Sequence, residues 1–244
     1  MDESKRFYRD GIKTKHSNVH FQISVKETDL WISAERELRN EALSLILDAR
    51  QQIEAYLDVN PLIKSSLEPV KHDPFAPPLM DSMIKSGLKA GVGPMAAVAG
   101  AISGFVGEGL LKYSPSLVIV ENGGDIFISS SNDVTVSIYA GRSPLSGKIG
   151  LRIKKDKMPI GVCTSSGTVG HSLSMGNSDA VCVLAKDTAL ADASATSIGN
   201  KIKNSTDLKA LNKMAEEIEG VLGAVAIIGN EFSVWGGIEL VNLV

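Results

Sequence analysis

Hydrophobic and polar positions alternate near the start of the chain and then change their period. Apolar residues alternate with polar ones between His20 and Ala34, on either side of a turn-like segment at 26–29. Alternation of this kind predicts an amphipathic β-hairpin. From Glu35 to Leu57 apolar residues recur every three or four positions, which predicts one long amphipathic helix ending at Asn60-Pro61.

Prolines and small residues dominate the next stretch of the chain. Four prolines between Pro69 and Pro78 predict a loop. A short helix over 79–90 and a second helix from Met95 to about Leu111 are predicted to follow. The second helix is rich in Ala and Gly, which would let another backbone or a ligand come very close.

The remainder of the chain consists mainly of short apolar segments separated by turn residues. Strands are predicted over 117–120, 126–129, 134–140, 150–154, 160–164, 180–184, 224–228 and 232–240. Helices are predicted over 187–202, with Asp187 as N-cap, and over 207–221. Strands outnumber helices and mostly follow one another, so the fold class is α+β, an antiparallel-rich sheet packed with helices. We expect a single domain over 1–244, with the loop at 61–78 as the place for any subdivision.

Charge and composition exclude several classes of partner. The 244 residues carry 25 Lys and Arg against 28 Asp and Glu, and only 5% are aromatic, which argues against nucleic-acid binding. Cys163 and Cys182 have apolar neighbours and resemble small buried hydrophobes more than a metal clip or disulfide. Neither a secretory signal nor an apolar run of roughly 18 residues is present, so we expect a cytoplasmic protein without a membrane partner. Whether it forms a homo-oligomer stays open.

Asp192 and Thr196 form the most informative pair of polar residues. They are four positions apart in a predicted helix of small side chains, so both lie on one helix face. A carboxylate and a neutral oxygen suit a hard cation such as Mg²⁺. Alternatively, the Thr196 hydroxyl bonds back to the Asp192 carbonyl, and Asp192 faces water or caps a neighbouring element.

Two glycine-rich segments are further candidates. The segment Glu121–Asp125 is typical of a tight hairpin turn, but its glycines would also leave backbone N–H groups open to a phosphate or a flat ring. His171, in a loop rich in Gly and Ser, is a candidate acid, base or ligand contact. A Ser/His/Asp triad is available in composition only.

Taken together, these segments resemble the ApbE-like flavin transferases, the FAD:protein FMN transferases. The resemblance runs from about Gly91 to Gly199, nearly half the chain, and the joint pattern is far more specific than any one piece. The matching motifs are Asn122-Gly123-Gly124-Asp125, Thr164-Ser165-Ser166-Gly167 with the later His171, and Ala191-Asp192-Ala193-Ser194-Ala195-Thr196.

The resemblance implies a two-part α+β architecture related to the T-fold. It also implies that FAD is split at its pyrophosphate with Mg²⁺, and that FMN goes to a protein threonine or into solution. Asp192 and Thr196 correspond to the metal ligands, completed by a backbone carbonyl near 96–98, and His171 and Asp192 are the candidate catalytic residues. The candidate cofactor-binding residues are Asn122, Gly123, Gly124, Asp125, Thr164, Ser165, Ser166, Gly167, Ala99 and Gly100.

Two departures from the family pattern leave the activity open. Ala99 stands where the family has the Lys of Ala-Lys-Gly, and the Asp-Pro-x-Thr-Gly run after the His is missing. The chain therefore resembles most the compact cytoplasmic branch that keeps the metal corner. One hypothesis is Mg²⁺-dependent cleavage of FAD or a related nucleotide cofactor with FMN transfer to an unidentified acceptor. The other is a protein that binds a flavin or nucleotide without chemistry.

Overall fold

A computed structural model describes residues 12–13, 18–167 and 175–244. The strands are β1 Ile12–Lys13, β2 Val19–Val25, β3 Thr28–Ala34, β4 Leu117–Asn122, β5 Asp125–Ser130, β6 Val134–Ser137, β7 Ile149–Ile153, β8 Ile160–Ser165, β9 Ala180–Ala185, β10 Val221–Ile228, β11 Glu231–Gly236 and β12 Glu239–Asn242. The α-helices are α1 Arg39–Val59, α2 Pro78–Ala90, α3 Val98–Leu110, α4 Thr188–Lys201 and α5 Leu211–Glu216. Short 3-10 turns precede α3 and α5, at Pro94–Ala97 and Ser205–Ala210.

The strands form two antiparallel sheets. The large sheet has eight strands in the order β11-β10-β9-β8-β5-β4-β3-β2, and the small sheet has four in the order β1-β6-β7-β12. The predicted α+β class with an antiparallel-rich sheet is confirmed. The single closing strand predicted over 232–240 is wrong. The strand β11 ends at Gly236, which has φ +79°, and the next strand, β12, pairs with β7 in the small sheet.

The large sheet is the middle layer of the fold. Its residues Val118 and Val120 pack in a cluster with the helices, whereas Leu117 and Ile119 pack with residues of the small sheet. Successive side chains of a strand point to opposite faces, so β4 is buried on both sides. This double burial explains the continuous apolar run that the sequence shows at 117–120.

The secondary-structure predictions are confirmed where the sequence of a single element contains its own turn or capping signals. The hairpin of β2 and β3 is confirmed, with Val25 paired to Thr28 around a tighter turn than the predicted 26–29. The helix predicted over 187–202 is also confirmed, and the Asp187 carboxylate caps it by accepting the N–H of Ala189 at 2.9 Å. The helix predicted over 207–221 is wrong in length, because most of it is a 3-10 turn and the short α5.

The small-residue helix α3 is confirmed and packs very closely on its neighbours. A Cβ on Gly100 would lie 2.4 Å from the carbonyl oxygen of Thr188 in α4, and one on Gly107 would lie 2.1 Å from the Phe127 ring. These glycines therefore bring α3 against α4 and the large sheet.

Within the described ranges, no single helix is long and apolar enough to cross a membrane; the segments 78–90 and 94–110, bent by 105°, reach that length and composition only together.

Candidate functional site

The turn between β4 and β5 is a tight two-residue hairpin. Gly123 and Gly124 occupy it with φ of +68° and +108°, a region that glycine enters without strain. The side chain of Glu121 accepts the N–H of Gly124 at 2.7 Å. The interpretation of this segment as a hairpin turn is therefore confirmed.

Asn122 connects this hairpin to the N-terminal end of α3. Its side-chain amide donates to the carbonyl oxygen of Ala99 at 3.1 Å, and its side chain is largely buried. Two of the residues predicted to contact a cofactor are thus brought together from distant parts of the chain. Their hydrogen bond fixes the hairpin beside the small-residue helix.

Asp192 lies on α4 and is only 8% exposed. Its Oδ2 atom accepts the backbone N–H of Gly100 at 2.8 Å. Thr196 follows one helical turn later and is half-buried. The helix places both side chains on one face, as predicted, and the Asp192 carboxylate contacts the start of α3.

Asp125 is a second buried carboxyl group in the same region. It is 8% exposed, and its Oδ1 atom has no hydrogen-bond partner. Burial raises its pKa well above the ordinary value, and the negative charges of Asp192 and Glu121 raise it further. The sequence motif predicted Asp125 as a candidate cofactor-binding residue. It did not predict that a second carboxyl group, from α4, lies near it.

Burial also raises the pKa of Asp192, to about 7, although the backbone N–H groups of Gly100 and Ala99 oppose the shift. Two carboxyl groups are therefore held in one poorly hydrated place, where the charge of Asp192 disfavours ionisation of Asp125. The thiol of Cys163 lies beside them, donates to the Thr188 carbonyl at 3.4 Å and has a pKa well above its ordinary value. A thiol in that state is inert as a nucleophile.

The end of β8 brings the Thr-Ser segment to the same corner. Thr164 donates its backbone N–H to the carbonyl of Gly124 at 3.2 Å, so the segment begins directly beside the hairpin turn. The N–H of Gly167 donates to the Ser178 carbonyl at 2.9 Å. Ser165 and Ser166 lie between these two anchors, while His171 is outside the described residues.

The donor set at this corner fits a hard divalent cation. Asp192, Thr196 and the unpartnered Oδ1 of Asp125 are all oxygen donors, which Mg²⁺ prefers. Within the described ranges, this corner included, no three His, Cys, Asp or Glu side chains converge as a metal-binding group, so a cation here would also need hydroxyl, backbone or ligand oxygens. The buried, unsatisfied carboxylate oxygen is the feature that a cation would complete.

A cavity of about 550 Å³ opens beside Ala99 and Asn122. Sequence reasoning missed this cavity, and with it Arg50 of α1, which lines its wall. The one sequence feature that could have indicated Arg50 is its position on α1 beside Ile46 and Ile53, two buried residues of the apolar stripe. That stripe predicted burial of the helix face but could not predict what packs opposite.

The fold of this protein is that of the ApbE flavin transferases. An ApbE protein from Thermotoga maritima superposes with a TM-score of 0.56 at 12% identity, over 89% of this chain and 96% of that chain. A mutant of the flavin transferase ApbE from Vibrio cholerae gives a TM-score of 0.55 at 12% identity, over 90% and 97%. Identities this low establish the fold alone.

Sequence comparison then gives the family. Residues 11–226 match the family described as AbpE bacteria, and the chain belongs to it. A UPF0280 protein from Methanococcus vannielii is 46% identical over 204 residues, covering 82% of each chain. Another, from Methanococcus aeolicus, is 44% identical over 217 residues, covering 86% of this chain and 87% of that protein. The resemblance to ApbE-like proteins deduced from the motifs is confirmed.

Proposed function

We propose that this protein binds FAD at the corner formed by the β4–β5 hairpin, the start of α3 and the end of β8, and cleaves its pyrophosphate with the help of Mg²⁺. Membership of the family and the ApbE fold support the flavin nucleotide as the ligand. Asp192 and Thr196 would hold the cation, and His171 would contact a phosphoryl oxygen.

The pair of buried carboxyl groups, Asp125 and Asp192, is the observation that carries this proposal. Burial raises both pKa values, and Asp125 Oδ1 lacks a hydrogen-bond partner. A fold that only needed packing would gain stability from neutral residues there. A cation held by Asp192 and Thr196 would compensate buried negative charge and would neutralise charge that develops on phosphoryl oxygens.

The residues of the chain supply positioning for the reaction. An oxygen of water or of a protein hydroxyl forms a bond to the phosphorus of the FMN half, and the P–O bond to AMP breaks. The attacking oxygen loses its proton to solvent, and AMP leaves with the bonding electron pair. The positive-φ turn at Gly123 and Gly124 has no side chain to block close approach of the nucleotide, and Asn122 holds this turn against α3.

A second function, flavin binding without chemistry, is favoured by one specific contact. The Asp192 carboxylate already accepts the N–H of Gly100, so it has a structural partner of its own. Ala99 also contributes no charge at the position where ApbE-like proteins carry a Lys. A protein of this kind would hold the nucleotide and release it unchanged.

Chromatography of FAD incubated with the purified protein separates the two functions. The proposed activity predicts AMP and FMN in equal amounts with Mg²⁺, and none with EDTA or in the Asp192→Asn variant. Asp156→Asn, at an exposed position, is the matched control and should keep the full rate. FAD that binds but yields no AMP would establish the binding protein, and FAD that does not bind would refute both functions.

A further inference from the structure

The turn between β4 and β5 is anchored on both faces of the large sheet. Successive residues of a strand point to opposite faces, so the side chains of Glu121 and Asn122 lie on opposite sides of the sheet. Asn122 lies on the side of the helices and donates to the Ala99 carbonyl at 3.1 Å. Glu121 lies on the side of the small sheet, because its cross-strand partner Ile126 packs in the cluster that the two sheets share. The two side chains therefore hold the same turn from its two sides.

Glu121 contacts the turn through a hydrogen bond to its backbone. The Oε1 atom accepts the N–H of Gly124 at 2.7 Å. Two glycines in a turn restrict the backbone little, because glycine populates many conformations. A hydrogen bond to a carboxylate is stronger than one between neutral groups. The bond from Gly124 to Glu121 therefore favours one conformation among those that the two glycines allow.

The burial of Glu121 has a cost that packing alone does not explain. Its side chain is 0% exposed, and the four residues before it in β4, 117–120, are all apolar. Removing a carboxylate from water is unfavourable, and an apolar residue of similar volume is often as stable or more stable at a buried position. A carboxylate at the end of this apolar strand therefore indicates a use for its hydrogen bond to the turn.

The turn has an open side on which a ligand could lie. Gly123 is exposed, and a Cβ built on it would have no atom within 4 Å. The same turn also orients β8, because the Gly124 carbonyl accepts the N–H of Thr164 at 3.2 Å. We propose that Glu121 is a positioning residue, which holds this turn in the conformation that receives the nucleotide without touching the nucleotide itself. The role rests on the proposed function for the place of the nucleotide.

The FAD affinities of three variants, measured by flavin fluorescence, test this role. Glu121→Leu is of similar size but has no acceptor for the Gly124 N–H, whereas Glu121→Gln keeps an acceptor oxygen. We expect FAD to bind about tenfold or more weakly to Glu121→Leu, as for loss of one charge-assisted bond, and to bind Glu121→Gln nearly as well as the wild type. Ser130→Ala is the matched control, because Ser130 Oγ accepts the N–H of Asn132 at 3.0 Å at the other end of β5. It should leave FAD affinity unchanged.

Steady-state kinetics provide a readout that a loss of stability alone would not change. In the proposed reaction, the turn contacts the nucleotide both before and during cleavage. Loss of such uniform binding raises KM and leaves kcat unchanged. We therefore expect a higher KM for FAD with unchanged kcat in Glu121→Leu, and a KM close to that of the wild type in Glu121→Gln. A lower kcat at unchanged KM would overturn the positioning role.

A second variant covers the case in which Glu121→Leu fails to fold. Glu121→Asp keeps the charge but is one methylene shorter, which draws the carboxylate back from the Gly124 N–H, and it should weaken FAD binding in the same way. Wild-type FAD affinity in a folded Glu121→Leu or Glu121→Asp protein would overturn the proposal, as would an equal loss of affinity in Ser130→Ala. Weak binding in Glu121→Gln would also overturn it, because the charge of Glu121 would then matter and its hydrogen bond would not.

The same experiment separates this role from the proposed cleavage. FAD binding that depends on Glu121, in a protein that yields no AMP, would support the positioning role and refute only the cleavage activity. FAD that does not bind the wild type would refute the proposed function and this role together.

Discussion

Replacement of Asp192 by Asn tests two effects of the buried carboxylate separately: its destabilisation of the folded state and its binding of a cation. The amide keeps an oxygen that can accept the N–H of Gly100, but it carries no charge. In the folded wild type, burial raises the Asp192 pKa from 3.8 to about 7. The unfolded chain ionises this group near its ordinary pKa. At a pH where the group is ionised, folding is therefore opposed by the free energy that corresponds to the difference between the folded and unfolded pKa values.

The size and sign of the effect follow from the pKa shift. A folded-state pKa above the unfolded value means that stability from this group is complete below about pH 4 and declines as the pH rises to about 7. The decline amounts to about 4 kcal/mol at most. Without metal we therefore expect Asp192→Asn to unfold at a higher urea concentration than the wild type at pH 8, and to differ little at pH 4.

Mg²⁺ should offset most of this difference in stability. A ligand that binds only the folded state stabilises it by about 2.7 kcal/mol at a hundred times its dissociation constant. For a chain of this length that is a rise in Tm of about 5–10 °C. We expect the rise in the wild type and in the control Asp156→Asn, and none in Asp192→Asn. Equal Mg²⁺ effects in all three proteins, or an Asn variant less stable than the wild type at pH 8 without metal, would refute this reasoning.

Three further predictions concern packing, turn geometry and thiol chemistry. Gly100→Ala should cost several kcal/mol in urea unfolding, because its Cβ would lie 2.4 Å from the carbonyl oxygen of Thr188; a loss below about 1 kcal/mol would contradict this packing. Gly123→Ala should cost only about 1 kcal/mol, because φ is +68° but the space around the new Cβ is open. Cys163 and Cys182 should not react with Ellman's reagent at pH 8 until the protein unfolds, because burial raises both thiol pKa values, that of Cys182 to about 12; fast release of two equivalents from the native protein would contradict their burial.

The sequence was most informative where the signal was local. The helix α4 could be predicted because Asp187 supplies its cap and small apolar residues fill its length. The turn at Gly123 could be predicted from two glycines between apolar strands. In both cases the residues that decide the structure lie within a few positions of one another.

Features that depend on distant pairing could not be read from the sequence. The segment 232–240 is apolar enough for one strand, and only the presence of β7 explains why Glu239–Asn242 joins the small sheet. The cavity at Arg50 likewise requires α1 and α3 to be placed first. For the candidate site, the motif gave Asp125 and Asp192 separately, and tertiary structure alone shows that their charges interact.

The contact between Asp192 and Gly100 explains how one residue can serve both the fold and the site. α3 begins without a side-chain cap of its own, and Asp192 reaches its third residue from 92 positions further along the chain. A carboxylate there satisfies an N–H that the first helical turn leaves unpaired, and its charge is favoured by the helix dipole. Because a carboxylate can accept several partners at once, this cap does not prevent cation binding. Truncation of Asp192 to Ala would remove the helix cap and the cation-binding oxygen together. Only the Asn variant therefore distinguishes a loss of chemistry from a loss of structure.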